Sequence, residues 1–139
     1  MEDTIGTIAK KFKLNPSTLR YYDAQGLIPA IKKNEQGMRL FDEEAVSTLF
    51  TIECLKKSGM SLKEIKTFIT WCQVGDESLG ERLAMFNERK EALQAQISEL
   101  EETLAYIDYK ISYYTQAVAD QTEAHVKDSF QFHGVARGE

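Results

Sequence analysis

The chain has 139 residues, 42% of them hydrophobic and 28% charged, which fits a small folded domain with an extension and argues against disorder. No apolar run approaches the roughly eighteen residues of a membrane span. The acidic start Met1-Glu2-Asp3 is not followed by the apolar stretch of a secretory signal, so a cytoplasmic protein is expected.

Thr4 is the N-cap expected for a first helix, Ile5 to Phe12, in which Ile5, Ile8, Ala9 and Phe12 recur at helical spacing and form one buried face. Lys13-Leu14-Asn15-Pro16 turns the chain into a second helix of about three turns, with Asn15 as cap, Pro16 at the first helical position and Gly26 as stop. The first helix then braces the second, and the pair reads as a helix-turn-helix whose second helix enters a major groove. Its run Thr18-Leu19-Arg20-Tyr21-Tyr22-Asp23 is rich in hydrogen-bond donors. Ser17 and Thr18, near the helix start, are expected in the groove; Arg20, Tyr21 and Tyr22 are expected on the phosphate backbone, with part of one tyrosine ring packed into the domain. Lys10, Lys11 and Lys13 lie either near phosphates or on a solvated face.

Ile31-Lys32-Lys33, the turn Asn34-Glu35-Gln36-Gly37 and Met38-Arg39-Leu40-Phe41 predict a small hairpin, a wing whose cationic contacts are Lys33 and Arg39. Charge agrees with this placement. Residues 1 to 41 hold seven Lys or Arg against four Asp or Glu, net +3, while residues 42 to 139 hold ten against eighteen, net −8.

Asp42 caps a third helix running to about Lys57, and the capping box Ser61-Leu62-Lys63-Glu64 opens a fourth ending near Gln73. Val46, Leu49, Phe50, Ile52, Leu55, Leu62, Ile65, Phe68, Ile69 and Trp71 are expected to pack this pair onto the first two helices. Ser78 then caps a long helix to about Asp120. In it Leu79, Leu83, Phe86, Leu93, Ile97, Leu100, Leu104, Ile107, Ile111, Tyr114 and Val118 form one seam at alternating intervals of four and three, with Lys90 the one polar interruption. Such a helix is about 64 Å long. A narrow seam of that length needs another helix of similar length, and a second copy of the chain is the simplest donor. The organisation expected is therefore a winged helix-turn-helix domain over 1–73, a dimerisation coiled-coil helix over 74–120, and a mobile tail over 121–139 that scatters His125, Phe130, Phe132 and His133 among polar residues.

Thr-Leu-Arg-Tyr-Tyr-Asp at residues 18–23, followed by Gly26-Leu27-Ile28-Pro29 and then Arg39-Leu40-Phe41, resembles the MerR family of bacterial transcriptional regulators, over roughly residues 4 to 120. The resemblance implies an antiparallel dimer on double-stranded promoter DNA with an overlong spacer. The activated dimer bends and untwists that spacer, so that RNA polymerase is engaged indirectly, through promoter shape. The sequence departs from the family pattern at Met38, where Tyr is usual, and at Phe41, where Tyr is frequent.

The chain ends shortly after the coiled coil, so any signal is expected to act on residues already named. Cys54 and Cys72 are the only cysteines; they form no disulfide framework or C-x-x-C pair, and a reducing compartment is assumed. Metal-sensing relatives carry two cysteines beyond the long helix and this chain carries none there, so neither metal nor cofactor is expected. Cys54 has two readings. As a small buried hydrophobe it is ordinary packing; as a thiol in the helix after the wing it resembles the subgroup that responds to aldehydes and other reactive electrophiles, as does the stretch Gly75 to Leu83. Cys72, beside Trp71, is expected to pack.

No nucleophile, base and orienter constellation, phosphate-cradling glycine run or metal-ligand spacing points to an enzyme. The competing class is a coiled-coil protein-interaction module without sequence-specific DNA binding, which leaves the donor-rich helix and the basic wing unexplained.

Overall fold

The computed structural model describes residues 2–127. Its order is β1 (Asp3–Thr4), α1 (Ile5–Phe12), α2 (Pro16–Ala24), β2 (Lys32–Lys33), β3 (Arg39–Phe41), α3 (Glu43–Lys57), α4 (Leu62–Val74), a single 3₁₀ turn (Asp76–Ser78) and α5 (Leu79–Asp120). The fold is mainly helical, a winged helix-turn-helix followed by a long helix. Among the described residues no helix is long and apolar enough to cross a membrane.

The helix ends sit where cap chemistry puts them. Thr4 Oγ1 accepts from the Thr7 amide, Asn15 Oδ1 from the Ser17 amide at 3.0 Å, and Asp42 Oδ1 from the Ala45 amide at 2.9 Å. Ser61 and Glu64 complete the reciprocal capping box. Lys13 closes α1 in the left-handed region at φ 56°, an uncommon conformation for a residue with a Cβ, and Gly26 takes φ 72° after α2, where glycine carries no such penalty.

The sheet is antiparallel in the order β1-β3-β2, with Lys33 opposite Arg39 and Thr4 opposite Leu40. The hairpin β2-β3 is the expected wing. Its turn is held by Asn34, whose side-chain oxygen accepts from the Gln36 and Met38 amides, and by Gly37 at φ 80°. Strand β1 was absent from the sequence reading: two residues are too few to show alternation, and only pairing with β3 makes Asp3 and Thr4 a strand.

The chain divides into two compact units, Met1–Glu91 and Ala92 onward. The first has a continuous core of Ile8, Leu19, Tyr22, Leu27, Ile28, Phe41, Leu49, Ile52 and Ile65, all essentially without solvent contact. It extends past residue 73, where the sequence reading ended the domain. Met85 is buried in the same core, the Phe86 ring meets Phe68 edge to face at 5.5 Å, and buried Ser78 bonds the Trp71 and Gly75 carbonyls. Arg82 adds bonds to Ser78 Oγ at 3.0 Å and to the Gly75 carbonyl at 2.7 Å. The first three turns of α5 thus complete the head. Phe50 corrects an expectation in the other direction. It was assigned to packing, yet it is 62% exposed, because α3 presents positions 45, 49 and 52 to the core and position 50 points away.

In the second unit α5 leaves Leu93, Ile97, Leu100, Leu104, Ile107 and Ile111 exposed, and Leu83 and Phe86 on its head-side turns are exposed too. Another stripe carries Tyr106, Tyr109 and Tyr113 around the Lys110 ammonium, which lies 4.7 Å from the Tyr113 ring centre. The helix stops at Gln121, in the left-handed region at φ 57°, and the Tyr113 hydroxyl donates to Glu123 at 2.7 Å, which pushes its pKa up to about 12. Residues 121–127 are turns bonded to the helix end. Phe130, Phe132 and His133 lie outside the described residues.

Candidate nucleic-acid interface

Helix α2 separates its two faces by residue chemistry. Leu19 and Tyr22 enter the core, while Ser17, Arg20 and Tyr21 are exposed and Thr18 is half-buried. Tyr21 is 52% exposed, and among the described residues no hydrogen bond or ion pair holds Arg20. The Ser17 hydroxyl donates to Asn15 Oδ1 at 2.9 Å, so it begins as part of the cap. A guanidinium, a phenol and two hydroxyls on one exposed helix face, next to a hairpin bearing Lys32 and Lys33, can engage phosphate oxygens and base edges.

The wing is tied to this helix by Arg39, whose Nε donates to Asp23 Oδ2 at 2.7 Å, with both side chains about three-quarters buried. Arg39 was expected as a cationic contact. Here it is also a strut, and the bond leaves its two terminal nitrogens as further donors. Lys33 is exposed, and Lys32 lies 3.7 Å from Asp42. The Ala45 amide bond first, then the Lys32 charge, hold the Asp42 carboxyl below its ordinary range. Met38 is exposed at the turn. Lys11 pairs with Asp3 at 3.2 Å, whereas Lys10 and Lys13 project into solvent.

Tyr22 is a correction. It was expected as a phosphate contact, but its ring is 1% exposed and its hydroxyl is already occupied. That hydroxyl donates to Glu53 Oε2 at 2.9 Å and accepts from Lys56 Nζ, and both partners lie on α3. Burial pushes the phenol above its ordinary pKa, and its hydroxyl in turn raises that of the Lys56 ammonium. Sequence reasoning missed this triad, as it missed Asp23 with Arg39, because partners more than thirty or sixteen positions apart leave no local pattern.

Both thiols are exposed. In the single chain neither Cys54 nor Cys72 is a core residue. Cys54 lies in a pocket of about 340 Å3 with Lys11, Phe12, Phe50, Glu53 and Lys57. Among the described residues no group of three or more His, Cys, Asp or Glu could hold a metal ion.

Two family models match this chain: "MerR HTH family regulatory protein" over residues 4–70 and "MerR, DNA binding" over residues 46–109. An uncharacterized HTH-type transcriptional regulator of Haemophilus influenzae is 37% identical over 119 residues, covering 86% of this chain and 88% of that protein. The chain belongs to the MerR family of DNA-binding transcriptional regulators. Among solved members, the crystal structure of HiNmlR, a MerR family regulator lacking the sensor domain, bound to promoter DNA, matches with a TM-score of 0.85 at 35% identity, over 91% of this chain and 96% of that one. A MerR family regulator from Bacillus thuringiensis matches with a TM-score of 0.74 at 41% identity, over 81% and 98%. The MerR assignment accounts for the exposed face of α2, the basic wing and the long helix together.

Proposed function

We propose that this MerR-family chain binds double-stranded promoter DNA in the cytoplasm as a homodimer and controls transcription by bending and untwisting the promoter spacer. In this reading α2 enters the major groove with Ser17 and Thr18 at the bases, and Arg20, Tyr21, Lys33 and Arg39 grip phosphates. Tyr22 supports the helix from beneath. The observation that carries the reading is the division of α2 into a buried face of Leu19 and Tyr22 and an exposed face of Arg20 and Tyr21. The likeness to a MerR regulator solved on promoter DNA supports it.

Dimerisation rests on the seam. Leu83, Phe86, Leu93, Ile97, Leu100, Leu104, Ile107 and Ile111 are all exposed in the single chain, at heptad spacing, and a second copy covers them. Two heads on one rod then meet successive half-sites of a near-palindrome. Deforming the duplex costs about 1 to 6 kcal/mol for a strong smooth bend. Phosphate contacts offset that cost, and RNA polymerase reads the result as promoter shape. Input comes through Cys54, which is exposed and set in a small pocket: its sulfur bonds to the carbonyl carbon of a small electrophilic inducer such as an aldehyde, the C=O π bond opens, and the thiol proton passes to that oxygen.

Selection of bound duplexes from a random pool, followed by affinity against salt concentration, tests the core of this reading. The expected result is a palindromic site and a steep negative slope from several released counterions. No duplex affinity at low salt overturns it. For the input, Cys54→Ser keeps DNA binding and loses the response to an added aldehyde; a retained response removes Cys54 from the signal.

A further inference from the structure

Tyr22 belongs to the donor-rich run, yet its side chain is buried and its hydroxyl is held by α3. Its ring fills the core between α2 and α3, and its hydroxyl joins Glu53 and Lys56, which themselves lie 3.6 Å apart one helical turn from each other. The Lys56 ammonium also sits 5.2 Å from the centre of the Tyr22 ring. Three groups on two helices therefore satisfy one another at one point, with the Glu53 side chain about four-fifths and the Lys56 side chain about three-fifths buried. Apolar packing alone lets a helix rotate or slide by a fraction of an ångström at little cost. A hydroxyl held between a carboxylate and an ammonium does not, because a shift leaves a mostly buried charge without its partner.

The neighbours of Tyr22 along α2 are the residues proposed to meet DNA, Arg20 and Tyr21 before it and Asp23, the anchor of Arg39, after it. The geometry points to Glu53 and Lys56 as positioning residues for sequence-specific recognition: through the Tyr22 hydroxyl they set the pose in which α2 presents its outer face to the groove. This rests on the DNA-binding reading of α2. Placement to within about 0.5 Å separates a base-edge hydrogen bond from a non-specific encounter, whereas phosphate attraction tolerates a larger error. Loss of the joint therefore weakens specific binding and spares non-specific binding.

The test measures, for the full chain, affinity for the best duplex the parent protein selects from a random pool and for a scrambled duplex of equal length. Glu53→Ala and Glu53→Gln remove the same negative charge, so bulk electrostatics predicts the same modest tightening on both duplexes for each variant. Positioning predicts a split. Glu53→Ala lowers the ratio of specific to non-specific affinity about tenfold, and Glu53→Gln, which keeps an acceptor for the hydroxyl, restores most of it. Partial unfolding scales both affinities alike and leaves the ratio unchanged. Tyr22→Phe, which deletes one oxygen, lowers the ratio as Glu53→Ala does, and the double variant falls no further than either alone. Equal ratios for the Ala and Gln variants, or an unchanged ratio in Tyr22→Phe, overturn the positioning role. A parent that selects no duplex overturns the DNA-binding reading itself.

Discussion

Two parts of this chain carry regular apolar faces on their helices, and in the single chain one set is covered while the other is not. In α3 and α4, Leu49, Ile52 and Ile65 have no solvent contact, because α1, α2, the sheet and the start of α5 supply the atoms around them. Beyond Glu91, Ile97, Leu100, Leu104 and Ile111 repeat just as regularly, and Leu100 is 68% exposed. Periodicity therefore says that a helix has an apolar face without saying what covers it. Short helices joined by tight turns can fold back on one another; a helix of 42 residues has no helix of matching length among the described residues.

The largest effects fall on that contrast. Ile97→Asp places two carboxylates in the seam of the proposed dimer, and an unpaired buried charge costs several kcal/mol. Sedimentation at micromolar concentration should then show single chains, while fluorescence of Trp71, the sole tryptophan, reports an intact head. A persisting dimer breaks the contrast, since the exposed seam is then not what joins the copies. Leu49→Ala acts on the other side. It opens a cavity in a core with no solvent contact and costs about 2 to 5 kcal/mol, read as a lower denaturant midpoint of the Trp71 signal. A midpoint within error of the parent means the head is not self-sufficient.

Arg20→Ala is a smaller change and sharpens the picture on the head. About tenfold weaker binding to every duplex is expected, with the salt slope reduced by about one; a variant with the parent's slope removes Arg20 from the phosphate contacts. The smallest effect concerns the Asp42 cap of α3. Its folded pKa is depressed, so its contribution to stability is present above the unfolded value of 3.8 and is lost as pH falls through the lower folded value. Asp42→Ser keeps a cap oxygen that does not titrate. It should match the parent near neutrality and lose less stability below pH 3.8, seen in denaturant midpoints across an acid series.

The seam and the caps were both legible in the amino-acid order because each is a local pattern. Thr4, Asn15, Asp42 and Ser61 begin their helices as read, since a cap depends on residues two or three positions away. The hairpin turn at Asn34 to Gly37 was legible for the same reason. Phe50 and Tyr22 were misread because a side chain's inward or outward direction depends on which neighbour arrives from a distance. At Tyr22 that neighbour is α3, thirty-one positions on.

Residue order alone thus established the helix-turn-helix, the wing, the long seam and the family they belong to, because hydrogen-bonded turns and helical periods are written within a few residues. Three-dimensional packing decided that Asp3 and Thr4 pair with β3, that the head includes the first turns of α5, that Arg39 is braced by Asp23, and that the second tyrosine of the recognition run looks inward. Each of these depends on contacts between segments far apart in the chain, and such contacts form only when the chain has folded.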